Sequence, residues 1–361
     1  MRALALTAVL LVLAPQAFAR AKEVALAPLP GAAKRTLFAT PEDTLDKKPC
    51  VGLRVAASVD CRDRKTHFKS NEWDHHVWVP YIRDVGGAYV GIGSDQGLTL
   101  IAAARSTFAW LLDYDPAVVL INRVHRALIL SSPTREAFIA QFLPKNKAAA
   151  IATLERAYKG SPERALVVAA FTRYRAGLRW YFNRVQRERR ELASSHWLHT
   201  DDAYSYVRRL FQLDRIRILK GDLLRDRALV GIGKASHALR MPVRVLYLSN
   251  AEEYWRYTDQ FRKNIRGLRF DSRTIVLRTR TNRRANAKLL GRYQYTVQAG
   301  LDFQQRLADP RVVAVWSILK HRARAFPDGL FTVGLRPLSR RAMRSALPGW
   351  RPRRAKSAAL K

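Results

Sequence analysis

Apolar residues along the chain switch repeatedly between short continuous runs and helical spacing. Residues 87–93 are an apolar run that ends in glycines, residues 98–108 are alanine-rich and helix-like, and residues 109–113 form a second apolar run that ends in acids. Behind Pro116, a residue favoured in the first turn of a helix, Val118, Val119, Ile121, Val124 and Leu128 fall at helical spacing. Strands alternating with helices predict a parallel sheet covered by helices. From about residue 134 to 213 the pattern is helical throughout. Its longest stretch, 164–192, carries Phe171, Tyr174, Trp180, Tyr181 and Phe182, a stripe better read as core than as a ligand platform. The alternation then resumes, with strand-like runs at 215–219, 243–248 and 274–279, helical stretches at 227–239 and 254–268, and late strands at 293–297 and 330–335. The expected fold is an α/β, mostly parallel sheet, with residues 70–130 as its first part, a helical insertion over 131–213 after the second strand, and 214–336 as its second part.

The ends of the chain read differently. Residues 1–19 combine Arg2, an apolar stretch too short to span a bilayer, and Ala17-Phe18-Ala19, which together predict a cleaved signal peptide and a periplasmic or secreted protein. A retained anchor is the other reading of the same segment. Residues 20–69 are rich in proline, alanine and charge, and suggest an extended arm in which Cys50 and Cys61 form a disulfide. Residues 337–361 suggest a basic, disordered tail. No segment after the leader is apolar enough to cross a membrane.

Charge changes the picture of partners and leaves the fold alone. The chain has 65 Lys and Arg against 29 Asp and Glu, a formal net charge of +36. Such a surface attracts polyanions, so an anionic substrate or an envelope polyanion is the expected partner; a generally basic, solvated surface is the plainer alternative. No motif for specific nucleic-acid binding, metal binding or a nucleophilic triad is present.

The candidate chemistry collects where the expected strands end, the edge at which open parallel sheets bind ligands. Gly91, Gly93, Ser94 and Asp95 follow the first strand, Asp113 the second, Asp222 the third, and Ser249 and Asn250 the fourth, with Tyr254 close behind. Glycines allow a ligand to approach the backbone at a helix start. An acid about 20 residues further on can accept bonds from ribose hydroxyls, as Asp113 is placed to do. Asp95, Asp113, Asp222 and Asn250 could each instead be a helix or loop cap. The sequence Val-Gly-Ile-Gly occurs twice, and the second copy, 230–233, has no strand before it and reads as helix packing.

These residues resemble the motifs of the class I S-adenosylmethionine (SAM) methyltransferases. The run Gly91–Asp95 is similar to that family's glycine motif, Asp113 to its ribose-binding acid, and Gly221-Asp222 to its adenine-side pair, while Ser249-Asn250 stands where the family places residues beside the transferred methyl. The resemblance implies a Rossmann-like fold and a SAM cofactor held by Gly91, Gly93, Ser94, Asp95, Asp113, Asp222 and Ser249. It implies Asn250 and Tyr254 at the reacting end. Three blocks, at 86–96, 247–255 and 275–279, resemble an uncharacterised bacterial family with this fold. The chain departs from the methyltransferase pattern at Tyr89, where an acid usually precedes the first glycine by two residues. It departs again after Asn250, which is followed by Ala251, Glu252 and Glu253 rather than by prolines. A dinucleotide fingerprint fails at Gln96. SAM is made and used in the cytoplasm, so the cofactor and the leader point to different compartments.

Overall fold

A computed structural model describes residues 26–45, 66–281 and 293–349. The leader and the Cys50–Cys61 pairing lie outside the described residues. Eight strands form one sheet: β1 (Ala88–Ile92), β2 (Phe108–Asp113), β3 (Ile216–Lys220), β4 (Val243–Ser249), β5 (Ile275–Thr281), β6 (Tyr293–Ala299), β7 (Ala323–Ala325) and β8 (Leu330–Val333). Their order is β3-β2-β1-β4-β5-β6-β8-β7. The first five strands of that order run parallel to one another. β6 pairs antiparallel with β5, β8 runs parallel to β6, and β7 is antiparallel to β8. The sheet is therefore mostly parallel and compatible with a Rossmann-like fold. From β1 the chain builds outwards to β2 and β3 and then returns to β1's other side as β4. That reversal falls between β1 and β4, and the carboxyl ends of strands at such a reversal are where sheets of this kind bind ligands.

Both faces of the sheet are buried, which is why its strands read as continuous apolar runs rather than alternating ones. Tyr89, Ala109, Leu111, Val245, Tyr247 and Leu277 join one core. Ala88, Val90, Trp110, Leu112, Leu246 and Val276 join the other. Helices Gln96–Ala104, Pro116–Ser131, Arg164–Arg187 and Asp201–Gln212 cover the first face. Helices Ala228–Ala238, Asp259–Arg266 and Gly300–Ala308 cover the second. Arg135–Ala140, Lys147–Ala157, Arg164–Arg187 and Asp201–Gln212 are the helices between β2 and β3 that follow Pro116–Ser131. Phe171, Tyr181 and Phe182 of the aromatic stripe are core, and only Trp180, 49% exposed, faces outward.

Several local expectations change. The expected extended arm contains a helix, Gly31–Phe38, docked through buried Leu37, and the following Thr40 accepts a hydrogen bond from the Trp110 indole at 3.1 Å. The expected disordered tail contains the helix Arg340–Ala346, held by buried Met343 and followed by buried Leu347. The helical pattern of 254–268 divides into a 3-10 turn, Ala251–Tyr254, and the helix Asp259–Arg266, because the Thr258 hydroxyl caps Phe261 N–H and restarts the helix there. In the second Val-Gly-Ile-Gly copy the glycines serve packing: a Cβ on Gly231 would meet Pro41, and one on Gly233 would lie 2.6 Å from the Gly267 carbonyl. Among the described residues no helix is long and apolar enough to cross a membrane.

Candidate functional site

Strand register brings the predicted residues to one edge. Ile92 pairs with Leu112, Asp113 with Lys220, and Gly91 with Tyr247, so Gly93, Asp113, Gly221-Asp222 and Ser249-Asn250 all stand at the carboxyl edge. Gly93 has φ +95, a region that favours glycine, and a Cβ there would meet nothing within 4 Å. The Gly93 N–H donates to Asp113 Oδ2 at 2.9 Å. The other carboxylate oxygen of Asp113 accepts the Asp115 N–H at 2.8 Å, and its carbonyl accepts the Gly221 N–H at 3.1 Å. Asn122 holds the Gly93 carbonyl from the helix Pro116–Ser131 at 2.9 Å. Asp113 thus ties the turns after β1, β2 and β3 together. The cap of Pro116–Ser131 is Asp115, which accepts the Ala117 N–H at 3.0 Å.

The outer part of this edge is aromatic and acidic. Tyr114 is 58% exposed and Tyr254 76%. Partial burial raises the Tyr114 phenol's pKa, and the charges of Asp113, Asp115, Tyr254 and Asp222 raise it further. Asp222 serves its own loop, accepting the Leu224 N–H at 2.9 Å. Its backbone N–H donates to Asp43, whose carboxylate also accepts from the N–H groups of Arg227 and Ala228 at the start of the helix Ala228–Ala238. Asn250 donates to the Tyr254 hydroxyl at 3.3 Å. Below them, Glu252 is buried and accepts from Arg278 Nε and from the Tyr257 hydroxyl, each at 2.6 Å. Arg278 also donates to Gln298 and lies 4.6 Å from the centre of the Phe303 ring. This buried pair fixes the 250–254 turn to β5 and β6.

Three predicted ligand contacts are corrected. A Cβ on Gly91 would run into the Tyr89 hydroxyl, so the glycine makes room for that ring rather than for a ligand. Ser94 and Asp95 turn into the core, where they are 4% and 0% exposed. Asp95 lies 3.1 Å from His196 Nε2. The Leu198 N–H donates to His196 Nδ1, so Nε2 carries the proton given to Asp95. Burial pushes the Asp95 carboxyl up, but the hydrogen bond from His196, with smaller contributions from His125 and Tyr181, outweighs it and leaves the carboxyl below its ordinary value. Asp95 therefore joins the sheet edge to the helical insertion. It makes no side-chain cap either.

The buried centre of this edge belongs to a residue that the sequence reading passed over. Glu72 is 3% exposed and reaches across the carboxyl ends of β1, β4 and β5. Its Oε2 accepts from Gln96 Nε2 at 3.0 Å and the Tyr247 hydroxyl at 2.7 Å; its Oε1 accepts from the Ser249 and Thr279 hydroxyls, both at 2.5 Å. Ser249 is held at φ +51 beside a register shift between β4 and β5, a strained backbone that aims its hydroxyl at this carboxylate. The strap carrying Glu72 is fixed by Asp74 N–H, which donates to the Tyr295 hydroxyl at 2.9 Å, and by Trp78, packed edge-on against Tyr247 and Tyr295. Burial, then the Glu72 charge, pushes the phenols of Tyr89 and Tyr247 well above their ordinary value. Tyr89 is wholly buried, and its hydroxyl has no hydrogen-bond partner. The signal for Glu72 was an acid immediately ahead of 73–82, a stretch whose aromatic and apolar residues must be buried.

Among the described residues no group of three or more His, Cys, Asp or Glu side chains could hold a metal ion. A family model described as a domain of unknown function (DUF7790) matches residues 67–334, well over half of the chain. The matched span opens just before Glu72 and takes in all eight strands. No curated protein matches the chain.

Proposed function

We propose that this chain, which belongs to the DUF7790 family, binds a SAM-type ligand along the carboxyl edge of β1, β2 and β4. The observation that carries this reading is the convergence of Gly93, Asp113, Asp222, Ser249 and Asn250 on one edge, at the point where the strand order reverses. Gly93 leaves open space for close approach, and Asp113 places a carboxylate, the group that accepts from ribose hydroxyls, at the end of β2. Tyr114 and Tyr254 offer exposed rings for a base. Carboxylates at Asp113, Asp222 and Glu72 suit a hydroxyl-bearing or cationic ligand and oppose a pyrophosphate. Methyl transfer is the reaction this ligand supports, with the acceptor, whose identity is open, entering beside Asn250 and Tyr254. Orientation would contribute most of the rate. Thermal unfolding with SAM, S-adenosylhomocysteine and NAD tests the reading. A ligand at 100 times its Kd adds about 2.7 kcal/mol of stability. A shift with the first two and none with NAD supports the proposal; no shift with either adenosyl ligand refutes it.

A non-catalytic role is the second reading, and the outer face of Arg164–Arg187 favours it. Trp180 is half exposed there, with Lys69 at 4.9 Å and Arg184 at 5.7 Å from its ring centre. With a net charge of +36, this face suits an envelope polyanion. Retention on an anionic matrix should weaken steeply with salt; retention insensitive to salt counts against it.

A further inference from the structure

Among the described residues, the buried carboxylate of Glu72 has no cation paired with it. Its four side-chain partners, Gln96, Tyr247, Ser249 and Thr279, are all neutral donors. The contrast with Glu252 is direct, because that carboxylate is as deeply buried and is paired with Arg278. Buried charges are ordinarily paired or bound to metal, because neutral hydrogen bonds satisfy lone pairs without cancelling the charge. No metal-binding group accounts for the charge among the described residues. A second polar group beside it also lacks a partner: the Tyr89 hydroxyl, wholly buried between Gly91 and Gly97.

From this geometry we propose that Glu72 is a specificity-determining residue that reads a positive charge on the ligand. The inference rests on the SAM-type reading above and deepens it: the strap residue Glu72, at the reversal between β1 and β4, selects the sulfonium over a neutral thioether. Gln96, Ser249 and Thr279 act as positioning residues. They come from the ends of β1, β4 and β5 and hold the carboxylate where a cation would otherwise have to hold it.

Calorimetric titration of the full chain with SAM and S-adenosylhomocysteine separates the two levels of the argument, since the ligands differ by the methyl group and its charge. The wild-type protein should bind SAM tighter by on the order of tenfold or more. Glu72→Gln should bring the two affinities together while S-adenosylhomocysteine still binds. Glu72→Asp, which keeps the charge but withdraws it by one methylene, should shrink the preference and guards against a Gln variant that fails to fold. Binding of both ligands with a preference unchanged in either variant overturns the role of Glu72 and leaves the parent reading standing. An equal loss of both ligands in a folded Glu72→Gln protein also overturns it. No binding of either ligand to the wild-type chain overturns both.

Discussion

His125 offers a quantitative test of how the helical insertion is built. The side chain is 1% exposed and lies among Phe138, Phe142 and Phe182, with ring centres 6.1, 6.5 and 5.9 Å away. Neither ring nitrogen has a hydrogen-bond partner. Burial lowers its pKa from 6.5 to about 4, with the Asp95 charge opposing weakly. Unfolded chains therefore take up a proton on this residue as the pH falls through 6.5, and the folded chain does not until about 4. In that window the unfolded state binds more protons, so stability falls with falling pH. The linkage relation gives about 1.8 kcal/mol lost between pH 7 and pH 5 from this residue alone. Urea denaturation at pH 7, 6 and 5 measures it, and His125→Leu, of similar volume, removes it. At pH 7 the variant should be at least as stable as the parent, because no buried nitrogen is left unsatisfied. Its pH 7-to-5 loss should be smaller by about 1.8 kcal/mol. Titrating carboxylates are common to both proteins and cancel in the difference. Equal losses in variant and parent would refute the argument.

Other sites give independent expectations. His75 and His199, lowered by burial and then by His196 to about 4 and about 3, should add losses of similar size and sign over the same pH range; denaturation of their Leu variants would read them. Arg278→Met should cost about 3 to 5 kcal/mol by leaving the buried Glu252 charge unpaired, and adding Glu252→Met should recover much of it; a double variant no better than the single one sinks that reading. Gly91→Ala should destabilise more than Gly93→Ala, and Tyr89→Leu should relieve the former but not the latter, as measured by thermal unfolding, because the added Cβ at Gly91 would lie 2.1, 2.5 and 2.8 Å from the Tyr89 hydroxyl and two ring carbons, whereas one at Gly93 meets nothing. Asp43→Ala removes the acceptor for three N–H groups at Asp222, Arg227 and Ala228 and should cost about 1 to 2 kcal/mol in urea unfolding.

The strand-helix alternation was legible because both faces of the sheet are buried, so each central strand is an unbroken apolar run that contrasts with amphipathic helices. The position of the helical insertion was legible for the same reason. What the edge holds was harder to read. Gly91 and Gly93 look alike in sequence, yet one accommodates Tyr89 and the other opens to solvent, a distinction made by a side chain two residues upstream. Asp95 looked like a loop acid, but its partner His196 is distant in the chain and comes from the helical insertion. Glu72 and Asp43 act across sequence separations that no local period records. Isolated acids in irregular segments carry no periodic signal, so their roles emerged only once the strand ends were side by side.

The two scales of charge at this edge act in opposite directions, and that opposition narrows the ligand further. At long range the net charge of +36 draws any anion towards the protein, but at physiological ionic strength this attraction is screened beyond about 8 Å. Within that distance the carboxylates of Asp113 and Asp222 stand at the strand ends, with Glu72 buried beneath them. The backbone N–H of Gly93, the group that would otherwise receive a phosphate, is already given to Asp113. A dinucleotide would thus be attracted to the molecule and repelled from the edge. On the proposed reading, a ligand with a positive centre would gain at the edge, where among the described residues Glu72 has no cation paired with it. On the same reading, long-range attraction is left for an anionic acceptor, while the acids would hold the smaller, cationic reactant.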